Sequence, residues 1–205
     1  MRARLLAIFA LVFLCVLVWS GSAPRDRFTW WLEVAPALLA APILALTYRR
    51  FPLTTLAYTL VLLHAIILMV GGHYTYAEVP LFDRLSAWMG WSRNNFDKLG
   101  HFAQGFVPAL IAREVFIRFD VVPVRAWRNV LIVALCLAIS ALYELVEWLV
   151  AVLSGTDAEA FLGTQGYVWD TQSDMALALV GAISSLLLLA RFHDRQLREL
   201  SAPRS

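Results

Sequence analysis

The sequence predicts an all-α fold, a polytopic membrane helix bundle that forms a single domain over residues 1–205. Three observations predict it: 60% of the 205 residues are hydrophobic, only 16% are charged, and the mean hydropathy is +0.69. Average soluble domains carry more charge and less apolar content. No repeat, low-complexity segment or long polar stretch interrupts the chain, so we expect no linker and no domain boundary.

Six segments have the length and composition of spanning helices, which need about 20 predominantly apolar residues. We expect about six transmembrane helices, at about 5–20, 31–47, 53–71, 99–117, 129–153 and 174–190. The third ends at the helix-breaking pair Gly71-Gly72, and the fourth begins near Asp97. Near 81–91, an amphipathic segment with Phe82 and Trp88 on one side is typical of a short interfacial helix.

The first segment has two interpretations. Arg2 and Arg4 precede an apolar run, and the small residues 20–23 follow it, which also fits a cleavable signal peptide. We expect the segment to be retained as the first helix, and cleavage would not change the orientation of the rest. Cys15 and Cys136 lie in different apolar segments, so no disulfide framework is predicted.

Loop charges predict that both termini are cytoplasmic (N-in, C-in), since cytoplasmic loops carry the excess of Lys and Arg. One set of alternate connections holds twelve of them: Arg2, Arg4, Arg49, Arg50, Arg113, Arg118, Arg125, Arg128, Arg191, Arg195, Arg198 and Arg204. The other set holds five: Arg25, Arg27, Arg84, Arg93 and Lys98. The net charge of +2 is too small to imply a nucleic-acid partner.

Ionisable residues occur in or beside three of the apolar segments, where they are costly and count as functional candidates. They form three pairs, with members three or four residues apart and therefore on one helix face. The predicted topology brings all three pairs to the outer end of the bundle, within about two turns of the outer interface. The pairs are Asp97 with His101, Glu144 with Glu147, and Asp170 with Asp174.

Five carboxylates cannot all ionise in one small site of low dielectric without protons, hydrogen-bond donors or a cation. We therefore expect an acidic site that would suit a divalent ion such as Mg²⁺, Mn²⁺ or Zn²⁺. Lys98 and Arg93 are the alternative sources of positive charge. The candidate catalytic residues are Asp97, His101, Glu144, Glu147 and Asp174, and the candidate metal ligands are these five and Asp170.

A structural role is the alternative for each of these residues. Asp97, Asp170 and, less readily, Asp174 would serve as helix N-terminal caps. Glu144 and Glu147 lie in the second half of their predicted helix, where capping is not available and the dipole disfavours negative charge. Small residues such as Gly105 and Gly181 predict close helix packing rather than chemistry.

Three motifs carry a family resemblance: NFDKLGHF at 95–102, YELVEW at 143–148 and WDTQSDM at 169–175. With them the chain resembles the YjdF family of bacterial inner-membrane proteins over nearly its whole length. The resemblance implies a multi-pass protein of the bacterial inner (cytoplasmic) membrane, and it implies no reaction. A weaker resemblance is to the VanZ-like group, which carries an asparagine where this chain has Ala178.

The leading functional hypothesis is an outward-facing acidic site that acts on an envelope lipid or lipid-linked substrate. A carboxylate would be the general base, and a divalent ion would activate water or hold a phosphate. The alternatives are an ion- or proton-coupled transporter or binding protein, and a non-catalytic membrane partner whose acidic face docks another protein. Transporters usually place such residues at the bilayer midplane in repeated halves, and the halves of this chain show no similarity.

Overall fold

The computed structural model describes residues 2–154 and 164–201, and in these ranges all regular secondary structure is helical. This confirms the all-α prediction, while the single-domain organisation stays a prediction. Seven helices follow one another within these two ranges: α1 (Arg2–Gly21), α2 (Arg27–Thr47), α3 (Thr55–His73), α4 (Pro80–Met89), α5 (Phe96–Arg118), α6 (Arg125–Ser154) and α7 (Asp170–Ser201).

Five helices in the described ranges, α1, α2, α3, α6 and α7, are long and apolar enough to cross a membrane. The remaining long helix, α5, has 23 residues, which is about 35 Å and enough to span the hydrocarbon layer. It carries five charged residues, however: Asp97, Lys98, Arg113, Glu114 and Arg118. The sixth spanning helix and the N-in, C-in orientation stay predictions, and the polytopic helical bundle is confirmed.

The largest difference from the predicted boundaries is at α7, which extends to Ser201 rather than ending near 190. Hydropathy falls after Ala190 because charged residues follow, but the helical periodicity continues. Ala190, His193 and Leu197 are all buried, and their spacing of three and four places them on one face. The short helix α4 ends before Gly90, whose φ of 69° ends the helix with a left-handed cap.

The centre of the bundle is the close contact between α5 and α7. A Cβ atom at Gly105 would overlap the carbonyl oxygen of Ala178, and one at Gly181 would overlap the carbonyl oxygen of Phe102. Only glycine allows the two backbones to approach this closely. The first turns of α5 and α7 therefore lie side by side, with α6 and α3 packed around α5.

Candidate functional site: an acidic cluster around His101

The imidazole of His101 lies at the centre of a cluster at the end of the bundle where α5 and α7 begin. Its Nε2 is 3.2 Å from Asp97 Oδ1 on the same helix and 3.9 Å from Asp174 Oδ2 on α7. Its Nδ1 is 3.2 Å from Gln104 Oε1 and 3.9 Å from Glu144 Oε1 on α6. One side chain on α5 thus meets carboxylates from all three helices that the sequence singled out.

Arg93 provides the positive charge at the mouth of this cluster. Its guanidinium bonds to Asp170 at 2.5 Å and lies 3.7 Å from Asp97. Arg93 is held by α4, since Ser86 Oγ donates to the Arg93 carbonyl at 2.8 Å. The neighbouring Asn94 donates to the carbonyl of Val79 and accepts from the backbone of Phe96. The segment before α5 is therefore fixed on α4, and this fixes where Arg93 and Asp97 lie.

Two buried carboxylate oxygens in the cluster lack a hydrogen-bond partner within the described part of the chain: Glu144 Oε1 and Asp174 Oδ1. The two residues are only 7% and 3% exposed. Buried polar atoms without partners are uncommon and call for an explanation such as an ion, a water or a catalytic role. Glu147 lies one turn farther along α6 and is partly buried.

The structure adds three residues that the sequence interpretation missed. Glu33 is buried on α2, and Tyr143 on α6 donates to its Oε2 at 3.1 Å. Tyr76, in the loop after α3, also hydrogen-bonds Glu33, and burial raises the pKa of the Tyr76 phenol well above its ordinary value. Tyr76 therefore stays protonated as a donor. A lone glutamate in the otherwise apolar second segment was the sequence signal for this part of the site.

The ligand geometry fits two overlapping metal-binding groups that share His101. One contains Asp97, His101 and Asp174, and the other contains His101, Glu144 and Glu147; within each, the ligand atoms lie within 4.8 Å of one another. Carboxylate oxygens with an imidazole nitrogen suit Mn²⁺ or Zn²⁺, and the oxygens alone suit Mg²⁺. Asp170 is in neither group, because its carboxylate is bound by Arg93.

Asp97 and Asp170 lie at helix N-termini and also contact charged side chains. The residue at the N-cap of α5 is Asn95, and Asp97 lies in the first turn. The carboxylate of Asp97 contacts His101 and Arg93, and that of Asp170 contacts Arg93. Both also lie at helix N-termini, where the dipole favours negative charge. The helix dipole and the contacts with Arg93 and His101 therefore both stabilise these carboxylates.

Residues 164–169 lie beside the cluster. Gln165 forms two hydrogen bonds with the backbone of Asn94, at 2.9 Å and 3.1 Å. The ring of Tyr167 lies 5.5 Å from the guanidinium of Arg93 and 5.6 Å from the ammonium of Lys98. Lys98 therefore faces this loop.

A second polar network, also missed from the sequence, lies at the opposite end of α5. We call it the Arg113 network; its members are Thr54, Arg113, Glu114, Arg118, His193 and Asp194. Glu114 is fully buried, and accepts hydrogen bonds from Thr54 N (2.9 Å), Thr54 Oγ1 (2.8 Å), Arg118 (2.8 Å) and His193 Nε2 (3.0 Å). Arg113 donates to His193 Nδ1 at 3.0 Å and to Asp194 at 2.6 Å.

Comparisons with known proteins agree with the membrane architecture. Residues 5–195 match the family model described as "Predicted membrane protein (DUF2238)". The chain is 51% identical over 198 residues to the protein named "Inner membrane protein YjdF" of Escherichia coli (strain K12), covering 97% of this chain and 95% of that one. No solved structure matches. The VanZ-like resemblance stays a prediction.

Proposed function

We propose that this chain, which belongs to the YjdF (DUF2238) family of inner-membrane proteins, uses the cluster around His101 to bind a divalent ion and act on the phosphate-bearing head of a membrane lipid or lipid-linked substrate. We name this cluster the acidic site. It comprises Glu33, Arg93, Asp97, His101, Glu144, Glu147, Asp170 and Asp174. The distribution of loop charges supports an outward-facing acidic site.

One observation carries the proposal: the ligand atoms of His101 lie close to those of carboxylates from three helices, and two of those carboxylates have an oxygen without a hydrogen-bond partner in the described part of the chain. Among the described residues, six carboxylates in the acidic site compare with one guanidinium and one imidazole. A cluster with this excess of negative charge needs protons or a cation. A divalent ion would neutralise it and provide ligands for a phosphate.

The chain's own groups supply the remaining chemistry. Glu144 Oε1, which has no hydrogen-bond partner among the described residues, would accept the proton of a water or hydroxyl as its oxygen bonds to phosphorus. The phosphorus–oxygen bond to the leaving group would break, and the leaving oxygen would take up a proton from the surrounding water. Arg93 at the mouth provides a guanidinium, the group that best matches phosphate oxygens. Its present contacts with Asp97 and Asp170 hold it in position.

The test is the metal content of detergent-purified protein, measured by elemental mass spectrometry. We expect about one divalent ion per chain in the wild type and loss of that ion in Asp174→Asn and Glu147→Gln. Asp194→Asn is the matched control, because it makes the same change on the same helix, in the Arg113 network, and should keep the ion. Absence of an ion from the wild type, or its retention in both acidic-site variants, would contradict the proposal.

The second candidate is proton-coupled binding or transport, which the buried Glu33 favours. Glu33 is paired with the phenols of Tyr143 and Tyr76 rather than with a cation, and buried carboxylates of this kind occur in proton relays. Uptake by membrane vesicles that stops when the proton gradient is dissipated, in protein without bound metal, would favour this candidate over the first.

A further inference from the structure

A large apolar groove of about 740 Å³ lies between α1, α2, α3 and α5, within the usual size range of ligand sites. The helices α1 and α2 meet at one end, where Trp30 Nε1 donates to Ser20 Oγ at 3.1 Å. Beyond that contact, α2 contains Pro36 and Pro42, which remove backbone donors and bend a helix. Both prolines lie on the part of α2 that runs along the groove.

The groove continues the acidic site along α5. The residues Asp97, His101, Gln104, Pro108 and Ile111 follow one another at intervals of three and four, so they form one face of the helix. The first two belong to the acidic site, and Gln104 bonds to His101. The last two line the groove. One face of α5 is therefore polar at the acidic site and apolar along the groove.

The same arrangement occurs on α2. Glu33, Ala37, Ala41, Leu44 and Tyr48 lie on one face, with Glu33 in the acidic site and the other four lining the groove. Along both helices, an acidic residue of the site is followed by apolar residues that line the groove. This is the pattern expected for an amphiphile, with its head in the acidic site and its chain in the groove.

The length of the groove indicates which amphiphile fits. From Glu33 to Tyr48 the face extends about 22 Å at 1.5 Å per residue, whereas one leaflet of hydrocarbon is only about 15 Å thick. An acyl chain anchored at one surface ends near the bilayer centre. A groove that continues past the centre needs a longer chain, and the small side chains Ala37, Ala40, Ala41 and Ala45 leave room for it.

We propose that the groove holds the chain of a polyisoprenyl phosphate, whose phosphate lies in the acidic site. The inference rests on the proposed function, because it names the lipid on which that site acts. The polyisoprenyl chain is single, unbranched apart from methyl groups, and longer than one leaflet. Its phosphate meets Arg93 and a bound divalent ion, which offset the surrounding carboxylates.

The experiment is photocrosslinking in nanodiscs with two probes. One is a polyisoprenyl phosphate with a diazirine midway along its chain, and the other is a phosphatidylglycerol with a diazirine in one acyl chain. We expect the first probe to label peptides of α2 and α3, and to be displaced by unlabelled polyisoprenyl phosphate but not by phosphatidylglycerol. Equal labelling by the second probe, or displacement by phosphatidylglycerol, would overturn the assignment.

Ala41→Phe and Ala45→Phe fill the groove, and either should lower labelling of α2 by about tenfold or more. Ala134→Phe is the matched control, because Ala134 is exposed on α6 and does not line the groove. All three variants are first compared with the wild type in thermal melting, and labelling is read only in those that fold. Undiminished labelling in a folded groove variant would overturn the proposal.

The two proposals fail in distinguishable ways. Groove labelling in wild-type protein that contains no metal would refute the proposed function and support the lipid assignment. Bound metal without specific labelling would support the function and refute the lipid assignment.

Discussion

The two polar regions at the ends of α5 use similar residues in opposite ways. In the Arg113 network, two guanidiniums face two carboxylates, and Glu114 receives four hydrogen bonds. Arginine can only donate, so His193 Nδ1 accepts from Arg113 and Nε2 donates to Glu114. In the acidic site, carboxylates outnumber cations, and oxygens of Glu144 and Asp174 have no partner among the described residues.

The difference separates a stabilising network from a binding site. A fully satisfied buried network fixes one arrangement of helices, and here it joins α3, α5 and α7. A cluster with excess charge and unsatisfied oxygens costs stability, which proteins accept at functional sites. The same chemical change should therefore have opposite consequences at the two ends.

The largest expected effect is that of Glu114→Gln. Removing this charge takes the carboxylate away from the partly buried Arg118 and the fully buried His193, and it should lower the free energy of unfolding by about 3–5 kcal/mol. The same substitution at Glu147 is the control, and it should change stability little. Both are measured by thermal or denaturant unfolding in detergent without divalent ions. Equal losses at both ends would mean that the acidic site is also structural.

Gly105→Ala should have the next largest effect, because the added Cβ would overlap the Ala178 carbonyl and separate α5 from α7. Overpacking of this kind costs about 1–3 kcal/mol. Since both regions lie on these two helices, the variant should also weaken metal binding. Ala134→Leu, on the exposed face of α6, is the control. Unchanged stability in Gly105→Ala would show that the helices can separate freely.

Tyr143→Phe should have a smaller effect, because it removes one hydrogen bond to Glu33 while keeping the ring near His101. The expected loss is about 0.5–1.5 kcal/mol. It is measured as a shift in the unfolding midpoint, with Tyr167→Phe in the exposed loop as the control. A loss as large as that of Glu114→Gln would place Glu33 and Tyr143 in the scaffold rather than in the site.

The smallest effect on stability is expected for Glu144→Gln. Removing negative charge from a crowded acidic cluster should leave stability within about 0.5 kcal/mol of the wild type or raise it slightly. We expect Mn²⁺ or Mg²⁺ to raise the melting temperature of the wild type. In Glu144→Gln this rise should disappear, since one ligand is lost. Persistence of the full metal-dependent rise would exclude Glu144 as a ligand.

The membrane fold could be predicted from the sequence because apolar length is a strong and local signal. The segments at 5–20, 31–47 and 53–71 each correspond to an observed helix, displaced by only a few residues. The end of α7 could not be predicted from hydropathy. His193 and Leu197 are buried by contact with other helices, and such tertiary contacts are not visible in a run of charged residues.

The acidic residues of α5, α6 and α7 were identifiable because they interrupt apolar segments in pairs. Glu33 is a single residue, and only the fold brings it to Tyr143. Arg113 was interpreted as an orientation signal, since the count of loop charges cannot tell a solvent-exposed arginine from a buried one. The side chain of Arg113 is buried between His193 and Asp194. Its partners are about 80 residues away in sequence, which no local pattern reveals.

The charges of α5 also matter for how this helix would enter a membrane. A charged side chain opposes the insertion of a helix into lipid, by up to about 2.5–3.5 kcal/mol at the helix centre, and α5 carries charges in both its first and its last turns. Its compensating partners His193 and Asp194 belong to α7, the last helix to be synthesised. We therefore expect α5 to integrate less readily in ribosome-bound chains that stop after it than in chains that also contain α7.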